Sequence, residues 1–186
     1  MAQQLAKHWI TVDEYERRGE AGIFRPDSRL ELLEGEIYEM SPIGSRHAAC
    51  VKFLGNLINR QLGDKLIVST QDPIRLDDFS EPQPDIALLR WHDDFYRHAH
   101  PQPADVLLVI EVADTTLDSD RRIKIPLYAK AGIKEAWLVN LPEEKIELYA
   151  EPSNGAYQVT REFKRGEEAQ AHGIEGLSVG VAAVIG

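Results

Sequence analysis

Apolar and polar positions along the chain follow two patterns, alternation and recurrence at helical spacing, which predict strands and helices respectively. The segment Asp105 to Ala113 is apolar almost throughout, and such a run is typical of a central strand buried on both faces. A long helix is predicted after Ser45, which can cap it, and Gly63 is placed to end it. This helix is expected to lie across a sheet, and its apolar positions are Val51, Leu54, Leu57, Ile58 and Leu62.

The N-terminal part of the chain predicts a short helix followed by a β-hairpin. Thr11-Val12-Asp13-Glu14 matches a capping box, so the helix is expected to begin after Thr11 and to end near Gly19. From Arg29 to Met40, two alternating segments flank Glu34-Gly35, which is typical of a hairpin turn. The acidic residues of this hairpin are expected to be exposed, and they are Glu31, Glu34, Glu36 and Glu39.

Further strands are expected where short apolar segments lie between turn signals. Ser153-Asn154-Gly155 joins two of them as a hairpin, whereas Trp91 to Pro103 is polar and predicts a surface loop. The expected strands are Leu66 to Thr70, Ile74 to Leu76, Asp85 to Arg90, Lys134 to Asn140, Lys145 to Ala150, Ala156 to Phe163 and about Leu177 to Ile185.

A second helix is predicted to follow the buried strand. Either Thr115 or Thr116 can cap it, and Gly132 is placed to close it after Ala131. Pro126 lies inside this segment and lacks a backbone N–H, so we expect a kink or an irregular first half.

Composition narrows the class of protein. The 186 residues, 43% of them apolar, fit a single domain over residues 1–186. No run approaches the ~18 apolar residues of a membrane span, and Met1 to Glu20 is polar where a signal peptide is apolar, so we expect a cytoplasmic protein without a membrane partner. The single cysteine, Cys50, is expected in the core. The net charge of −10 argues against a charge-driven nucleic-acid coat, although an enzyme needs only a local basic rim.

Glu111 is the first candidate for chemistry because it interrupts the buried apolar strand. An ionised carboxylate in such surroundings is costly unless it is paired, hydrogen-bonded or bound to a metal. If the strand that begins at Asp85 is its neighbour, the two carboxylates offer oxygen ligands that Mg²⁺ favours, with the carbonyl of Val112 as a third candidate. Lys124, on the following helix, could orient a nucleophile or offset negative charge on a phosphoryl oxygen.

Each of these residues also has a purely structural interpretation. Asp85 can be a turn carboxylate at the start of a strand, and Glu111 can pair with a core arginine or cap a helix. Lys124 can form an i,i+4 ion pair with Asp120. His47 can act as a base or a ligand, or simply hydrogen-bond at a helix N-terminus.

Other chemistries find less support in the sequence. The segment Trp91 to His100 is rich in histidine, but the spacing of His98 and His100 matches no closed zinc pattern, so a polar loop is the expectation. The glycines are scattered through turns, and neither a phosphate-binding glycine loop nor a serine nucleophile elbow is present.

Several motifs follow one another along the chain: Glu31-Leu32-Leu33-Glu34-Gly35-Glu36, His47, Pro84-Asp85-Ile86, Val109-Ile110-Glu111-Val112, Asp120 with Lys124 and Tyr128, and Gly132-Ile133-Lys134-Glu135-Ala136-Trp137-Leu138-Val139. In this order they resemble the Uma-two family of restriction-type endonucleases over nearly the whole chain. That family belongs to the PD-(D/E)XK nuclease superfamily, so the resemblance implies a mixed central sheet flanked by helices and metal-dependent hydrolysis of phosphodiester bonds. Together with the predicted elements, we expect an α/β fold with an N-terminal hairpin and a C-terminal β extension, and our leading hypothesis is an endonuclease that cleaves DNA with Mg²⁺ or Mn²⁺.

The resemblance also suggests how the site departs from the superfamily pattern. Glu111-Val112-Ala113 lacks the lysine usually found two residues after the acid, and the resemblance implies that Lys124 replaces it. It makes Glu31 a further candidate acid, although the sequence leaves open whether Glu31, Glu34 or Glu36 faces the site.

Binding partners follow from the same hypothesis. A homodimer is expected, because cutting both strands of a duplex usually requires two active sites. A non-catalytic interaction module on a degenerate nuclease scaffold is the alternative, favoured by the acidic charge and the missing lysine. Candidate contacts to the nucleic-acid backbone are Arg121, Arg122, Lys130 and Lys134.

Overall fold

The fold is mixed α/β, built around a six-stranded sheet, in a computed structural model that describes residues 6–186. The strands are β1 (Leu30–Leu33), β2 (Glu36–Glu39), β3 (Leu66–Ser69), β4 (Ile86–Arg90), β5 (Val106–Ala113), β6 (Glu135–Asn140), β7 (Lys145–Ser153), β8 (Ala156–Lys164), β9 (Glu168–Gln170) and β10 (Ser178–Gly180). The helices are α1 (Val12–Glu20), α2 (Ser45–Leu62), α3 (Leu117–Ser119), α4 (Ile125–Lys130) and α5 (Val181–Ile185), with a π-helical turn at Asp120–Lys124 between α3 and α4.

The central sheet has the strand order β3-β4-β5-β6-β7-β8. Strands β5 and β6 are parallel, and every other neighbouring pair is antiparallel. Two separate hairpins, β1–β2 near the N-terminus and β9–β10 near the C-terminus, complete the strands. Within residues 6–186, no helix combines the length and apolar character needed to cross a membrane.

Strand β5 is buried on both faces, as its continuous apolar run predicts. Leu108, Ile110 and Val112 face a core that includes residues of α2 and α5. Val109 and Ala113 face a second core that includes α4. Because side chains alternate along a strand, Glu111 points to the second face, toward α4 and the π-helical turn.

Local capping signals explain where the first two helices begin and end. The Thr11 hydroxyl accepts a hydrogen bond from the Glu14 N–H (3.2 Å), and a Glu14 carboxylate oxygen accepts one from the Thr11 N–H (3.0 Å), which confirms the capping box. The expectation that Ser45 caps α2 is wrong by one residue, since Gly44 holds the extended N-cap conformation and Ser45 is already helical. Gly63 ends α2 at a φ of 55°, which favours glycine.

The expected strand from Ile74 to Leu76 is not formed. This segment is extended, and its amides donate to the carbonyls of Pro82, Pro101 and Ser80 in turn and loop segments rather than to a neighbouring strand. The apolar alternation is real, because Ile74 and Leu76 are buried, but it reflects a loop packed onto the core.

The expected C-terminal strand from Leu177 to Ile185 is also wrong beyond its first residues. Only β10 is extended, and it pairs with β9, which the sequence pattern did not predict. Val181, Val184 and Ile185 are buried at helical spacing, so this continuous apolar segment satisfies its backbone locally as α5.

The irregular first half predicted for the second helix is confirmed as the π-helical turn. The Ile125 N–H donates to the Asp120 carbonyl five residues earlier, and Pro126 follows in the first turn of α4, where no backbone donor is required. The turn buries both Asp120 and Lys124.

Gly35, in the turn between β1 and β2, tests how closely the hairpin packs on the chain before α1. Its φ is 78°, and an added Cβ would lie 2.8 Å from the Cβ of Trp9. We expect Gly35→Ala to lower the free energy of unfolding by about 2–4 kcal/mol, since left-handed strain and overpacking act together. Urea unfolding measures the loss.

Gly22→Ala is the matched control for this prediction. Gly22 has a similar φ of 67°, but an added Cβ would meet no atom of the described residues within 4 Å. This variant should show only the strain, about 1–2 kcal/mol. Equal losses in the two variants would contradict the proposed close packing at Gly35.

Candidate active site

Asp85 and Glu111 meet at one end of the central sheet. Asp85 immediately precedes β4, and Ile86 pairs with Ile110, so the two acidic residues occupy adjacent strands. The Asp85 N–H donates to Oε2 of Glu111 (3.4 Å), and the Val112 N–H donates to Oδ2 of Asp85 (2.9 Å). These reciprocal hydrogen bonds bring together the two carboxylates that the sequence proposed as ligands.

Lys124 lies between two buried carboxylates. Its Nζ is 3.0 Å from Oε2 of Glu31 and 3.4 Å from Oε1 of Glu111. Lys124 is 7% exposed, and its ion pairs are with these two acids. The i,i+4 alternative required an ion pair with Asp120 instead. The π-helical turn therefore brings to Glu111 an ammonium from outside its own strand.

Glu31 is the hairpin acid that faces the site. The expectation that it is exposed is wrong, since it is 5% exposed and contacts Lys124. Glu34 and Glu36 instead pair at the surface with Lys130 and Lys7, respectively. This settles the choice among the three glutamates that the sequence left open.

Tyr128 and Asp120 complete the polar network. Tyr128 was not among the candidate site residues that the sequence indicated. The Tyr128 hydroxyl donates to Oε1 of Glu111 (2.5 Å), and Oδ2 of Asp120 accepts from the Thr116 hydroxyl (2.6 Å). The Tyr128 side chain is fully buried. Its position four residues after Lys124, on the same side of the helix, was the available signal.

His47, in the first turn of α2, contacts the other acid of the pair. Its Nε2 lies 2.9 Å from Oδ2 of Asp85, while the Gln71 amide donates to Oδ1 (3.1 Å). His47 Nδ1 is buried without a hydrogen-bond partner in the described part of the chain. The hydrogen bond with Asp85 is the largest influence on the pKa of His47 and raises it.

The two carboxyl groups have pKa values shifted in opposite directions. Burial raises the pKa of Glu111 to about 8, although Lys124 and Tyr128 act against it. Burial would also raise the pKa of Asp85, but its hydrogen bonds, led by the one from His47, outweigh this effect and lower it. Asp85 is thus ionised at neutral pH, while the buried Glu111 is readily protonated in this structure.

The pKa of Lys124 is raised. Burial alone would lower it, but the surrounding negative charges of Glu111, Glu31 and Asp120 outweigh burial. The ammonium is therefore charged at neutral pH, which its proposed role requires.

A cavity of about 360 Å³ opens onto these residues. Glu31, His47, Asp85, Glu111 and Lys124 all contribute to its lining. Arg29, which was not among the residues indicated by the sequence, also lines the cavity and immediately precedes β1. The cavity is thus lined by two basic side chains, Arg29 and Lys124, as well as by carboxylates.

The four residues predicted to contact the nucleic-acid backbone are not among the described residues that line the cavity. Arg121 donates through Nε to Glu147 (3.1 Å), and Lys130 pairs with Glu34. Arg122 and Lys134 are exposed. Their contact with nucleic acid remains a prediction.

The donor set fits a hard divalent cation in its chemistry. Asp85 and Glu111 offer carboxylate oxygens. The Val112 carbonyl points to the same edge of β5 as the Val112 N–H, which donates a hydrogen bond to Asp85. However, the carboxylates of this site are not yet closely grouped. Among residues 6–186, three or more ligand atoms lie within 4.8 Å of one another in a group that includes neither Asp85 nor Glu111. In this structure, Lys124 supplies positive charge among them.

Comparisons with known proteins agree with this arrangement of elements. A family model named Uma2 and described as "Putative restriction endonuclease" matches residues 12–183. The crystal structure of "a putative nuclease belonging to DUF820" from Anabaena variabilis has a TM-score of 0.71 and 16% identity, and the match covers 95% of this chain and 97% of that one. At this identity, the likeness shows a shared fold. No curated protein matched the sequence.

The raised pKa of Glu111 predicts a specific dependence of stability on pH. The folded protein holds the Glu111 proton more tightly than the unfolded chain, so this contribution to stability is complete below pH 4.5 and is lost as pH rises through about 8. In buffer without divalent ions, Glu111→Gln should flatten this fall. Urea unfolding at about pH 5, 7 and 9 measures it.

Glu175→Gln, at an exposed position, is the control and should keep the wild-type pH profile. The difference between wild type and Glu111→Gln isolates one group, because the other titrating residues are common to both proteins. Parallel profiles over this pH range would mean that Glu111 is ionised in the folded protein throughout it.

Proposed function

The chain belongs to the Uma2 family, and on that premise we propose that its cavity hydrolyses phosphodiester bonds in DNA with the help of Mg²⁺ or Mn²⁺. The observation that carries the proposal is the meeting of Asp85, Glu111 and Lys124. Their carboxylates and ammonium come from a strand start, a strand interior and a π-helical turn, and all three side chains line one cavity.

Asp85 and Glu111 are the residues that would hold the cation, together with the Val112 carbonyl. When bound, such a cation supplies a water of lowered pKa and a positive charge near the phosphoryl oxygens. The Val112 N–H and the His47 ring orient Asp85, and the Tyr128 hydroxyl orients Glu111. These contacts hold the ligand oxygens before any substrate arrives, which reduces the cost of ordering them.

Lys124 is proposed to offset the negative charge that develops on the phosphoryl group. Its ammonium is charged and poorly hydrated, because it is buried between Glu31 and Glu111. A fixed charge in a water-poor cavity stabilises a transition state more strongly than a mobile surface lysine would. Glu31 acts through Lys124 in this proposal, as the residue that positions it.

The substrate is proposed to be DNA, bound with its backbone across the cavity mouth. Arg29 lines this cavity and offers a cationic contact for a phosphate. Cutting both strands would call for two copies of the chain, each contributing one site.

A non-catalytic interaction module is the second candidate function, and one observation favours it. Lys124 forms ion pairs with Glu31 and Glu111, so a charged group of the protein already compensates these carboxylates. Such a network could be retained as a structural core after catalysis has been lost. The two functions differ in whether the carboxylates bind a divalent ion and support cleavage.

Cleavage assays on linear, supercoiled and branched DNA with Mg²⁺ or Mn²⁺ test the proposal. We expect Asp85→Asn and Glu111→Gln to lose metal-dependent cleavage, because each removes a ligand charge. Lys124→Met should lower the rate constant by about 10²–10³-fold, the usual effect of removing one group that stabilises charge in a transition state.

Lys52→Met, on the exposed side of α2, is the charge-matched control and should cleave like wild type. Circular dichroism shows whether each variant is folded. If folded wild type binds Mn²⁺ yet cleaves none of these substrates, the interaction module becomes the better account. Cleavage that survives in folded Asp85→Asn and Glu111→Gln would instead contradict the assignment of these two residues to the metal site.

A further inference from the structure

A second set of metal-ligating side chains lies outside the cavity. Glu16 on α1, Glu81 before β4 and His100 before β5 place one ligand atom each within 4.8 Å of one another. The described residues that line the cavity include none of these three. The set is therefore distinct from the Asp85 site, and its residues come from chain segments far apart in sequence.

Glu81 is the buried member of this set and has an unsatisfied oxygen. Glu81 is 3% exposed, and its Oε2 is buried without a hydrogen-bond partner among residues 6–186. A buried carboxylate oxygen without a donor is costly, so it requires either a proton or a cation.

A proton shared between Glu16 and Glu81 is one way to satisfy this oxygen. Burial raises the pKa of Glu81 to about 7, and the charge of nearby Glu16 adds to the shift. A shared proton would leave the imidazole of His100 without a function beside the two carboxylates. A cation would instead use all three ligand atoms and balance both negative charges.

The nearby arginine does not take this place. The positive charge of Arg75 acts to lower the pKa of Glu81, but the Arg75 guanidinium contacts Asp13 (3.0 Å) and Asp78 (3.4 Å). Arg75 is therefore paired with these two aspartates rather than with Glu16 or Glu81. The three ligand atoms therefore remain available to an ion.

We propose that Glu16, Glu81 and His100 bind one Zn²⁺ ion. One imidazole nitrogen and two carboxylate oxygens are a ligand set of the kind that zinc accepts, with water in a fourth position. Ligand atoms around a tetrahedral zinc lie about 3.4 Å apart. The observed separations are within 4.8 Å, so side-chain rotation of the partly exposed Glu16 and the exposed His100 suffices to close the site.

The bound ion would tie three segments together beneath the hairpin. The backbone of Glu81 pairs with Leu32, with N–H to O distances of 2.7 and 3.4 Å, and Leu32 adjoins Glu31 of the cavity. Zinc at Glu81 would therefore stabilise the strand that presents Glu31 to Lys124. Its role is structural, and it does not depend on catalysis at the Asp85 site.

The test is a titration of metal-free protein with Zn²⁺ alone, followed by metal analysis and thermal unfolding. The Asp85→Asn/Glu111→Gln double variant is included so that the cavity carboxylates do not contribute. We expect about one zinc per chain in the double variant, and a rise in Tm of about 5–10 °C at a zinc concentration near 100 Kd. Glu81→Gln and His100→Ala, each made in this double-variant background, should lose both the stoichiometric zinc and the rise.

The exposed position of His100 keeps the test independent of folding, because His100→Ala removes no core contact. His98→Ala, on the same loop and also exposed, is its matched control and should bind zinc like wild type. The proposal fails if the metal-free double variant takes up no zinc, or if folded His100→Ala in the double-variant background retains it. The first result would instead support a proton shared by Glu16 and Glu81. Neither outcome bears on cleavage at Asp85.

Discussion

The burial of several carboxylates around one lysine is the constraint on which the rest of this structure depends. Glu31, Glu111 and Asp120 surround Lys124, and each of the four residues is at most 7% exposed. Removing this ammonium would leave buried negative charges without compensation, which is among the costliest changes a fold can undergo. The hairpin, strand β5 and the π-helical turn must therefore keep their relative positions, because the first two contribute one member each and the turn contributes two.

The position of the lysine follows from how β5 is packed. Ala113 lies on the same face of the strand as Glu111, and it is fully buried against the core that includes α4. A lysine at that position would displace this packing, whereas a small residue leaves room beside Glu111. The π-helical turn then supplies the ammonium from across the core. The charge of the buried acid is thus compensated from the π-helical turn rather than from its own strand.

Strand β1 connects the two acidic clusters of the protein. Glu31 faces Lys124, and the next residue, Leu32, exchanges backbone hydrogen bonds with Glu81. Backbone hydrogen bonds leave a strand at its edge, whereas side chains leave it at its faces, so one short strand can contact both the cavity and the segment that carries Glu81. The positioning of Glu31 therefore depends on contacts made well outside the cavity.

The sequence alone determined the elements that depend on near neighbours: the capping box at Thr11, the buried character of β5 and the irregular turn before Pro126. It also indicated Glu111, because a charge in an apolar strand is visible without a structure, whereas Asp85 and Lys124 were indicated by the order of the elements and by the family resemblance. Only the tertiary structure decided that Glu31 is buried, that Tyr128 binds Glu111, that Arg29 lines the cavity and that residues 181–185 form a helix. The physical reason is that periodicity and capping are local, whereas the partners of a buried polar group depend on strand register and on segments far apart in the chain.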